Sequence, residues 1–464
     1  MSEFARSRAM RQFYRNVFTR HIELPEADVM PVHLVAEIFT FKSTKLDRLG
    51  PQIREVKTGL SPEHDDALKN LLCAIILANH ALDDAKSEEL LRLSEETRGQ
   101  IIEYVVAALK GESNVNYLVA AIQILFRVNE IASALFLINN NLSMVSHSAP
   151  VLKILLLICL MENDFNQAMV VIQALTEDAS LIGEDPIALL MITCGIYKLG
   201  GVPDAYIDFR PLNDDKYVIA DANYEAWFAK TANDKTTVLI TCDKEDYFQH
   251  ALPLIYSVYE TNRDVLDVHL HLFNGDDEVK QSITSLRDRL PELHISASHE
   301  NIAVNDDVAV NSASRRIIFL HHALQTFRTP VIAVNCNVLF RQRWVPSESP
   351  LMLLHSESSP FWEEVFAGFI YATPGGVAQR YLDRVARFID ANLSRGNYAV
   401  GLEQVALFAS LDTLAAMDRM AISQPERTSI LDGGYAAEAF CWVAETSDGP
   451  SKDYKASLIQ KFQR

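Results

Sequence analysis

The 464-residue chain lacks several features that would each assign it to a class of protein. Its six cysteines stand singly, without a Cys-x-x-Cys pair, which argues against a zinc knuckle or a disulfide scaffold. Single cysteines in apolar stretches are typical of reduced thiols that pack as small hydrophobic residues, so they predict a reducing compartment. They are Cys73, Cys159, Cys194, Cys242, Cys336 and Cys441.

Long apolar runs and an excess of basic residues are also missing. The longest run, Val151–Met161, contains Lys153 and is far too short to span a bilayer. The first residues include no apolar core of a signal peptide, and we therefore expect a cytoplasmic protein. Lysine and arginine total 42 against 61 acids, for a net charge of −19. This balance argues against a general nucleic-acid binder, which needs a basic surface to displace counterions.

The first twenty residues depart from this acidic character. Five arginines alternate there with aromatic and aliphatic residues, against the single acid Glu3. The pattern fits a basic helix, and it favours packing on an acidic protein surface over contact with an anionic membrane. The arginines are Arg6, Arg8, Arg11, Arg15 and Arg20.

An internal repeat organises the first half of the chain, where hydrophobic residues recur at helical spacing. Three short polar turns begin the segments 127–134, 161–168 and 198–205, at offsets of 34 and 37 residues. Each turn follows an apolar helical segment, and each leads to a small alanine where a second helix must approach the first closely. The alanines are Ala134, Ala168 and Ala205.

The layout and the period of these segments are similar to tetratricopeptide repeats, although the large aromatic residues and the closing proline of that consensus are mostly missing. The resemblance implies an all-α domain of helical hairpins over residues 1–207. Hairpins of this kind bury their apolar faces on one another. Such a domain either supports the rest of the chain or binds a protein partner or an acceptor.

The pattern changes near Thr236, where short β-rich runs begin to alternate with helical segments. This alternation predicts an α/β domain over 234–464, with a mostly parallel sheet and helices on both faces. The polar stretch 208–233 has little periodicity and is predicted to be a linker. The predicted strands are 237–241, 265–273, 293–296 and 330–334, and the predicted helices are 247–260, 277–290 and 312–326.

Ligands of such sheets bind beyond the carboxyl ends of the strands, and three of these ends are polar here. They are the segments 241–247, 274–277 and 335–337. The first of them, with the helix that follows, resembles the opening strand and helix of bacterial GT-A glycosyltransferases, where an acid and an aromatic residue contact the nucleotide. The resemblance implies nucleotide-sugar contacts by Thr241, Asp243, Asp246 and Tyr247.

Four further segments resemble the same family in the same order, so that the likeness covers about residues 235–455. The segment 312–340 resembles the family's Ser-x-Arg helix and the strand of its Asp-x-Asp metal motif, and 366–376 resembles the strand that lines the donor sugar in that family. The segment 401–411 resembles the family's helix with an acid and a glutamine near the reacting centre, and 449–453 resembles its Gly/Lys stretch near the diphosphate. The resemblance implies nucleotide-sugar binding by Ser314, Arg315, Arg316, Gly368 and Lys452, and catalysis near Glu403 and Gln404.

The metal motif itself is changed. Asn335-Cys336-Asn337 stands at the Asp-x-Asp position, and the region after Trp442 lacks the histidine that often completes the site. Two neutral amides bind Mn²⁺ or Mg²⁺ far more weakly than carboxylates do, because hard cations prefer charged oxygen ligands. We therefore expect no conventional divalent-metal site, and no other cofactor. Cations could neutralise a diphosphate instead, and the candidates are Arg315, Arg316 and Lys452.

Each candidate residue also has an ordinary structural explanation. Asp243 and Asp246 could cap the following helix, and Glu403 could be a solvated helix acid. The adjacent His321 and His322 point about 100° apart on a helix, so they rarely share a metal ion.

Two functions therefore remain open. The first is the transfer of a sugar from a nucleoside-diphosphate donor without a metal held by an Asp-x-Asp motif. The second is an interaction protein, in which the helical repeats bind a partner and the α/β domain is catalytically inactive.

Overall fold

A computed structural model describes residues 14, 17–39, 46–83, 94–111, 114–220, 222–302, 308–356, 359–444 and 450–462. The chain divides into two compact units, Met1–Gly200 with Ser358–Pro360 and Gly201–Glu357 with Phe361–Arg464. Most of the arginine-bearing segment 1–20 lies outside the described residues, and so does the proposed contact that it makes. Within the described ranges, every helix is too short or too polar to cross a bilayer.

The described part of the first unit consists of helices joined by short turns, in agreement with the all-α pattern of its sequence. Side-chain caps mark where several helices begin: Asn114 accepts from the backbone N–H groups of Asn116 and Tyr117, and Asp164 accepts from that of Gln167. The helices are α1 Val32–Phe39, α2 Leu46–Glu55, α3 Pro62–Asp83, α4 Glu95–Ala108, α5 Val115–Arg127, α6 Ile131–Asn140, α7 Leu142–Val145, α8 Ala149–Met161, α9 Phe165–Glu177 and α10 Pro186–Lys198.

The turns between paired helices repeat in detail. Asn129 follows α5 and Asn163 follows α8, each two residues past the end of the helix, and both have positive φ angles, 65° and 57°. Asparagine tolerates this left-handed conformation better than most residues. After each of them, a backbone N–H reaches back five residues at 2.8 Å, from Glu130 to Leu125 and from Asp164 to Cys159. The same helix-ending turn therefore recurs at an offset of 34 residues.

Two of the three predicted alanines lie where paired helices pack. The third prediction is wrong, because Ala205 is exposed in a bend and no second helix follows α10 in the described residues 199–209. Ala134 in α6 and Ala168 in α9 are both 0% exposed. α6 packs on α5, and α9 packs on α8. A small side chain at these positions lets the two helices of a pair approach closely.

The second unit combines a mixed eight-stranded sheet with helices, which confirms the expected α/β class. Its strands are β1 Glu225–Phe228, β2 Thr236–Cys242, β3 Leu266–Phe273, β4 Ile295–Glu300, β5 Val331–Val334, β6 Val338–Phe340, β7 Leu351–His355, β8 Val365–Ala372, β9 Ile422–Ser423, β10 Leu431–Asp432 and β11 Cys441–Val443. Its helices are α11 Lys244–Asp246, α12 Leu252–Asn262, α13 Asp277–Arg289, α14 Val308–Phe327, α15 Gly376–Leu393, α16 Leu402–Asp412, α17 Ala416–Met420 and α18 Pro450–Phe462.

The strand order of the large sheet is β1-β4-β3-β2-β5-β8-β7-β9. The adjacent strands β4, β3, β2 and β5 are parallel, whereas β1 pairs antiparallel with β4 and β8 pairs antiparallel with β5 and β7. Nearly all of β2 and all of β3 are buried, and the buried His269 and His271 of β3 are satisfied by hydrogen bonds to Ser298 of β4. A smaller sheet joins β10, β11 and β6.

The stretch 208–233 differs from the linker that its composition predicts. It contains the 3-10 helix Arg210–Asn213 and strand β1, which extends the large sheet. Asp208 is fully buried and forms ion pairs with Arg210 and Arg395. Its backbone N–H donates to the side-chain oxygen of Asn392 in α15 at 2.8 Å. Polar side chains of this stretch are buried together with their hydrogen-bond and ion-pair partners. The polar composition of the sequence does not show that such partners exist.

Enlarging the buried alanine of a hairpin tests the packing of the repeats. Ala134→Leu forces extra methyl groups into a helix contact and should destabilise the protein by about 1–3 kcal/mol. Ala132→Leu on the exposed side of the same helix should change stability by less than about 0.5 kcal/mol. Urea denaturation followed by far-UV circular dichroism measures both, and equal effects would contradict the packing described for Ala134.

Candidate functional site

The carboxyl ends of three adjacent parallel strands border one cavity of the second unit. β2 ends at Cys242, β3 at Phe273 and β5 at Val334, and β2 pairs with both of the others. The cavity has a volume of about 780 Å³, within the usual range of ligand pockets. Its lining includes six of the residues singled out from the sequence: Thr241, Asp243, Asp246, Arg316, Asn335 and Asn337.

The segment after β2 forms one wall. The Asp243 carboxylate accepts the N–H of Asp246 at 2.9 Å and so begins α11. Burial raises the pKa of the Asp246 carboxyl, and the charge of Asp243 raises it further. The Cys336 thiol hydrogen bonds to Asp246, so this wall is joined to the loop after β5; burial raises the pKa of that thiol to about 12.

The loop after β5 is held by Arg316 of α14. The Asn335 side-chain oxygen accepts from the Arg316 guanidinium, whose other terminal nitrogen donates to the Ala367 carbonyl at 3.0 Å. The backbone N–H of Asn335 donates to the Gly368 carbonyl at 3.0 Å. A side chain on Gly368 would collide with this arrangement, because its Cβ would lie 2.8 Å from the Asn335 amide nitrogen and 2.2 Å from the Phe366 ring.

Glu403 and Gln404 of α16 lie beside Arg316 but are not among the residues that line the cavity. The Gln404 side-chain oxygen accepts from the Ala367 N–H at 3.3 Å, next to the carbonyl that Arg316 binds. Burial raises the pKa of Glu403, and the charge of Arg316 offsets part of that rise. Among the described residues, no group donates a hydrogen bond to the buried Oε2 atom of Glu403. These two side chains therefore support Arg316 from a side that the cavity does not reach.

Five of the residues expected at the nucleotide sugar lie outside the lining in this structure, and one of them is Gly368, described above. Tyr247 is a core residue, fully buried with its hydroxyl 3.0 Å from that of Ser282, and Ser314 is fully buried as well. Arg315 forms an ion pair with Glu300 instead of facing the cavity, because adjacent residues on a helix point about 100° apart. Lys452 is exposed on α18.

Two residues near the cavity were not identified from the sequence. His250 lines the cavity from a π-helical turn, Tyr247–Ala251, which inserts an extra residue per turn and shifts the face that each side chain takes. Lys455 contacts His250 from α18, one helical turn beyond Lys452. The Gly/Lys stretch predicted Lys452 of this helix as the functional residue. The lysine whose side chain contacts His250 at the edge of the cavity is Lys455.

The oxygen atoms of the loop after β5 do not fit a hard divalent cation. A metal ion would need the Asn335 side-chain oxygen, which already accepts from a guanidinium that would repel the ion. The Asp246 carboxylate is likewise engaged by the Cys336 thiol. In the described part of the chain, no three His, Cys, Asp or Glu side chains are grouped as metal ligands.

Replacing Glu403 by glutamine tests the burial of this carboxyl. Its pKa is raised above the ordinary value of 4.5, so ionisation costs more in the folded state than in the unfolded state. The parent protein should therefore lose stability, relative to Glu403→Gln, as pH rises from about 4 to about 8. Chemical denaturation across that range measures the difference. The exposed Glu438→Gln is the control, and a difference for Glu403→Gln that does not grow with pH would contradict the assignment.

Comparison with known proteins gives no family model that matches the chain and no curated protein that is significantly similar to it. The chemistry of the cavity is therefore inferred from its own residues. They combine carboxylates at one strand end, amides at another, and the guanidinium of Arg316 from α14.

Proposed function

We propose that the second unit is a GT-A-like domain that binds a nucleoside-diphosphate sugar in the cavity and transfers the sugar to an acceptor. The observation that carries this proposal is the cavity at the carboxyl edge of parallel strands, where α/β sheets bind nucleotides. The polar residues that line this cavity come from the strand ends whose sequences resemble those of GT-A glycosyltransferases. Asp243 and Thr241 are assigned to the nucleoside, and Asn335 and Asn337 to the diphosphate sugar.

Arg316 is assigned the charge that a metal ion would otherwise supply. In the transfer, the bond between the anomeric carbon and the diphosphate oxygen breaks, and its electron pair leaves with the diphosphate. A guanidinium stabilises this developing charge through two parallel donors. The acceptor hydroxyl forms the new bond to the anomeric carbon and gives up its proton. Glu403, the carboxylate expected near the reacting centre, does not line the cavity, whereas Asp246 lines it and has a pKa raised by burial. Asp246 is therefore the candidate proton acceptor, because a raised pKa brings a carboxylate closer to the working pH.

The first unit is proposed to act as a tetratricopeptide-like surface for a partner or for the acceptor. Phe136 in α6 and Val170 in α9 are 66% and 61% exposed, at positions 34 residues apart. Exposed apolar side chains in a repeated position favour contact with another protein. This observation also supports the second candidate, an interaction protein whose α/β domain is inactive. The unpaired state of all six cysteines supports a reducing location such as the cytoplasm.

Calorimetric titration with UDP and GDP sugars, with and without Mn²⁺, separates these candidates. The metal-free transferase should bind a nucleotide sugar equally well with Mn²⁺ and with EDTA, because Arg316 supplies the positive charge. Failure to bind any nucleotide sugar would favour the interaction protein. Binding or transfer abolished by EDTA would contradict both candidates, since it would require metal ligands other than those described.

Arg316→Ala should lower turnover by about 10²–10³, the scale of losing one preorganised charge stabiliser. The matched control is Arg419→Ala, which removes an exposed arginine of α17 and should leave turnover unchanged. A transfer assay with the nucleotide sugar identified by calorimetry measures both variants. Equal turnover in the parent and in Arg316→Ala, with both proteins folded, would remove Arg316 from the mechanism.

A further inference from the structure

A histidine and a lysine that the proposed transfer does not use meet at the edge of the same cavity. His250 lines the cavity from the π-helical turn after β2. The Lys455 ammonium lies 3.1 Å from Nδ1 of His250 and donates to the Ala444 carbonyl at 2.9 Å. Ala444 in turn donates its N–H to the Asn337 carbonyl at 2.8 Å, so the lysine is tied to the loop after β5.

Lys455 decides which nitrogen of His250 carries the proton. An ammonium group has donors only, so Nδ1 must accept and must be unprotonated. Burial lowers the pKa of His250, and the Lys455 charge lowers it further against the opposing charge of Asp246. The neutral ring therefore has its N–H at Nε2. Among the described residues, Nε2 makes no hydrogen bond, which leaves this donor to a ligand.

The acidic groups of the cavity are engaged by other donors. The Asp243 carboxylate accepts the Asp246 N–H, and the Asp246 carboxylate is bonded to the Cys336 thiol. The Glu245 carboxylate accepts from the Gln249 side chain at 2.8 Å. None of these carboxylates takes the Nε2 proton of His250, while the Lys455 ammonium on the far side of the ring makes that proton a better donor to an anion.

We propose that His250, held by Lys455, is an anion subsite in which the Nε2–H group donates to a phosphoryl oxygen. The identification of that oxygen with the diphosphate of a nucleotide sugar rests on the proposed function, whereas free phosphate or pyrophosphate would use the same chemistry. His250 touches the ligand, and Lys455 is a positioning residue that fixes the tautomer and adds positive charge.

Calorimetric titration with inorganic pyrophosphate tests the subsite, in the full chain and without metal. His250→Phe keeps the ring and removes both nitrogens, and it should weaken pyrophosphate binding about ten-fold or more, the value of one charge-assisted hydrogen bond. Lys455→Met should also weaken binding, and Lys455→Arg should restore it. The matched control is Lys461→Met, which removes a lysine of the same helix that pairs with Glu260 at 2.7 Å and should leave binding unchanged.

The position of the proton on the His250 ring can also be measured, and it should not change in Lys455 variants if Lys455 only stabilises the fold. Long-range ¹H–¹⁵N spectra, with the His250 signals assigned by their absence in His250→Phe, should show the Nε2–H form in the parent and in Lys455→Arg. Lys455→Met should show a mixture of both tautomers. Thermal unfolding of each variant checks that it is folded.

The outcomes distinguish this subsite from the proposed function. Pyrophosphate that does not bind the parent, or that binds His250→Phe equally well, overturns the subsite. Pyrophosphate binding that depends on His250, without binding of any nucleotide sugar, supports the subsite and overturns the proposed function. Nucleotide-sugar binding that is unchanged in His250→Phe and Lys455→Met supports the proposed function and overturns the subsite.

Discussion

The parallel pairing of β2 with β3 and β5 is the constraint on which the cavity depends. Each strand is buried along nearly all of its length, and the polar residues that follow it lie where the strand leaves the core. Parallel neighbours end at the same edge, and their polar ends are therefore brought together although about 30 to 90 residues separate them along the chain. The cavity follows from this geometry, and its chemistry follows from which residues stand just past each strand.

The amides after β5 and the guanidinium of Arg316 are consistent with each other. A neutral Asn335 oxygen accepts from the guanidinium without forming a buried ion pair, and Glu403 supplies the opposite charge from the other side. The absence of a side chain at Gly368 lets β8 approach Asn335 closely enough to bond its N–H. Replacing the two asparagines by aspartates would add negative charge to the loop after β5, next to Arg316 of α14 and Glu403 of α16. The Asn-Cys-Asn segment and Arg316 are therefore best understood as one arrangement.

Local pattern was sufficient for two of the three predicted repeat turns of the first unit and for the strand ends of the second, because both depend on residues close in sequence. It was insufficient where contacts with elements distant in sequence decide which side chains of a helix are buried and which line the cavity. The π-helical turn places Tyr247 in the core and His250 at the cavity, and α14 directs Arg315 to Glu300 but Arg316 to Asn335. β1 was missed because it is a four-residue edge strand, exposed or half-buried, that pairing with β4 defines and that is too short for a periodic pattern.

Buried polar groups occur throughout the second unit, and their pairing separates structural groups from functional candidates. On the sheet, His269 and His271 share hydrogen bonds with Ser298, and His271 continues to Glu300, so that this chain of groups is closed within the protein. Unpaired buried atoms are not diagnostic by themselves, since the Tyr256 hydroxyl is another among the described residues. Arg316 and Glu403 differ because they are neighbouring opposite charges, each with a buried atom that has no partner in the described part of the chain, and Arg316 lines a cavity large enough for a ligand. A charged pair held incompletely satisfied in this way costs stability that an apolar pair would not, and such a cost is characteristic of residues retained for binding or catalysis.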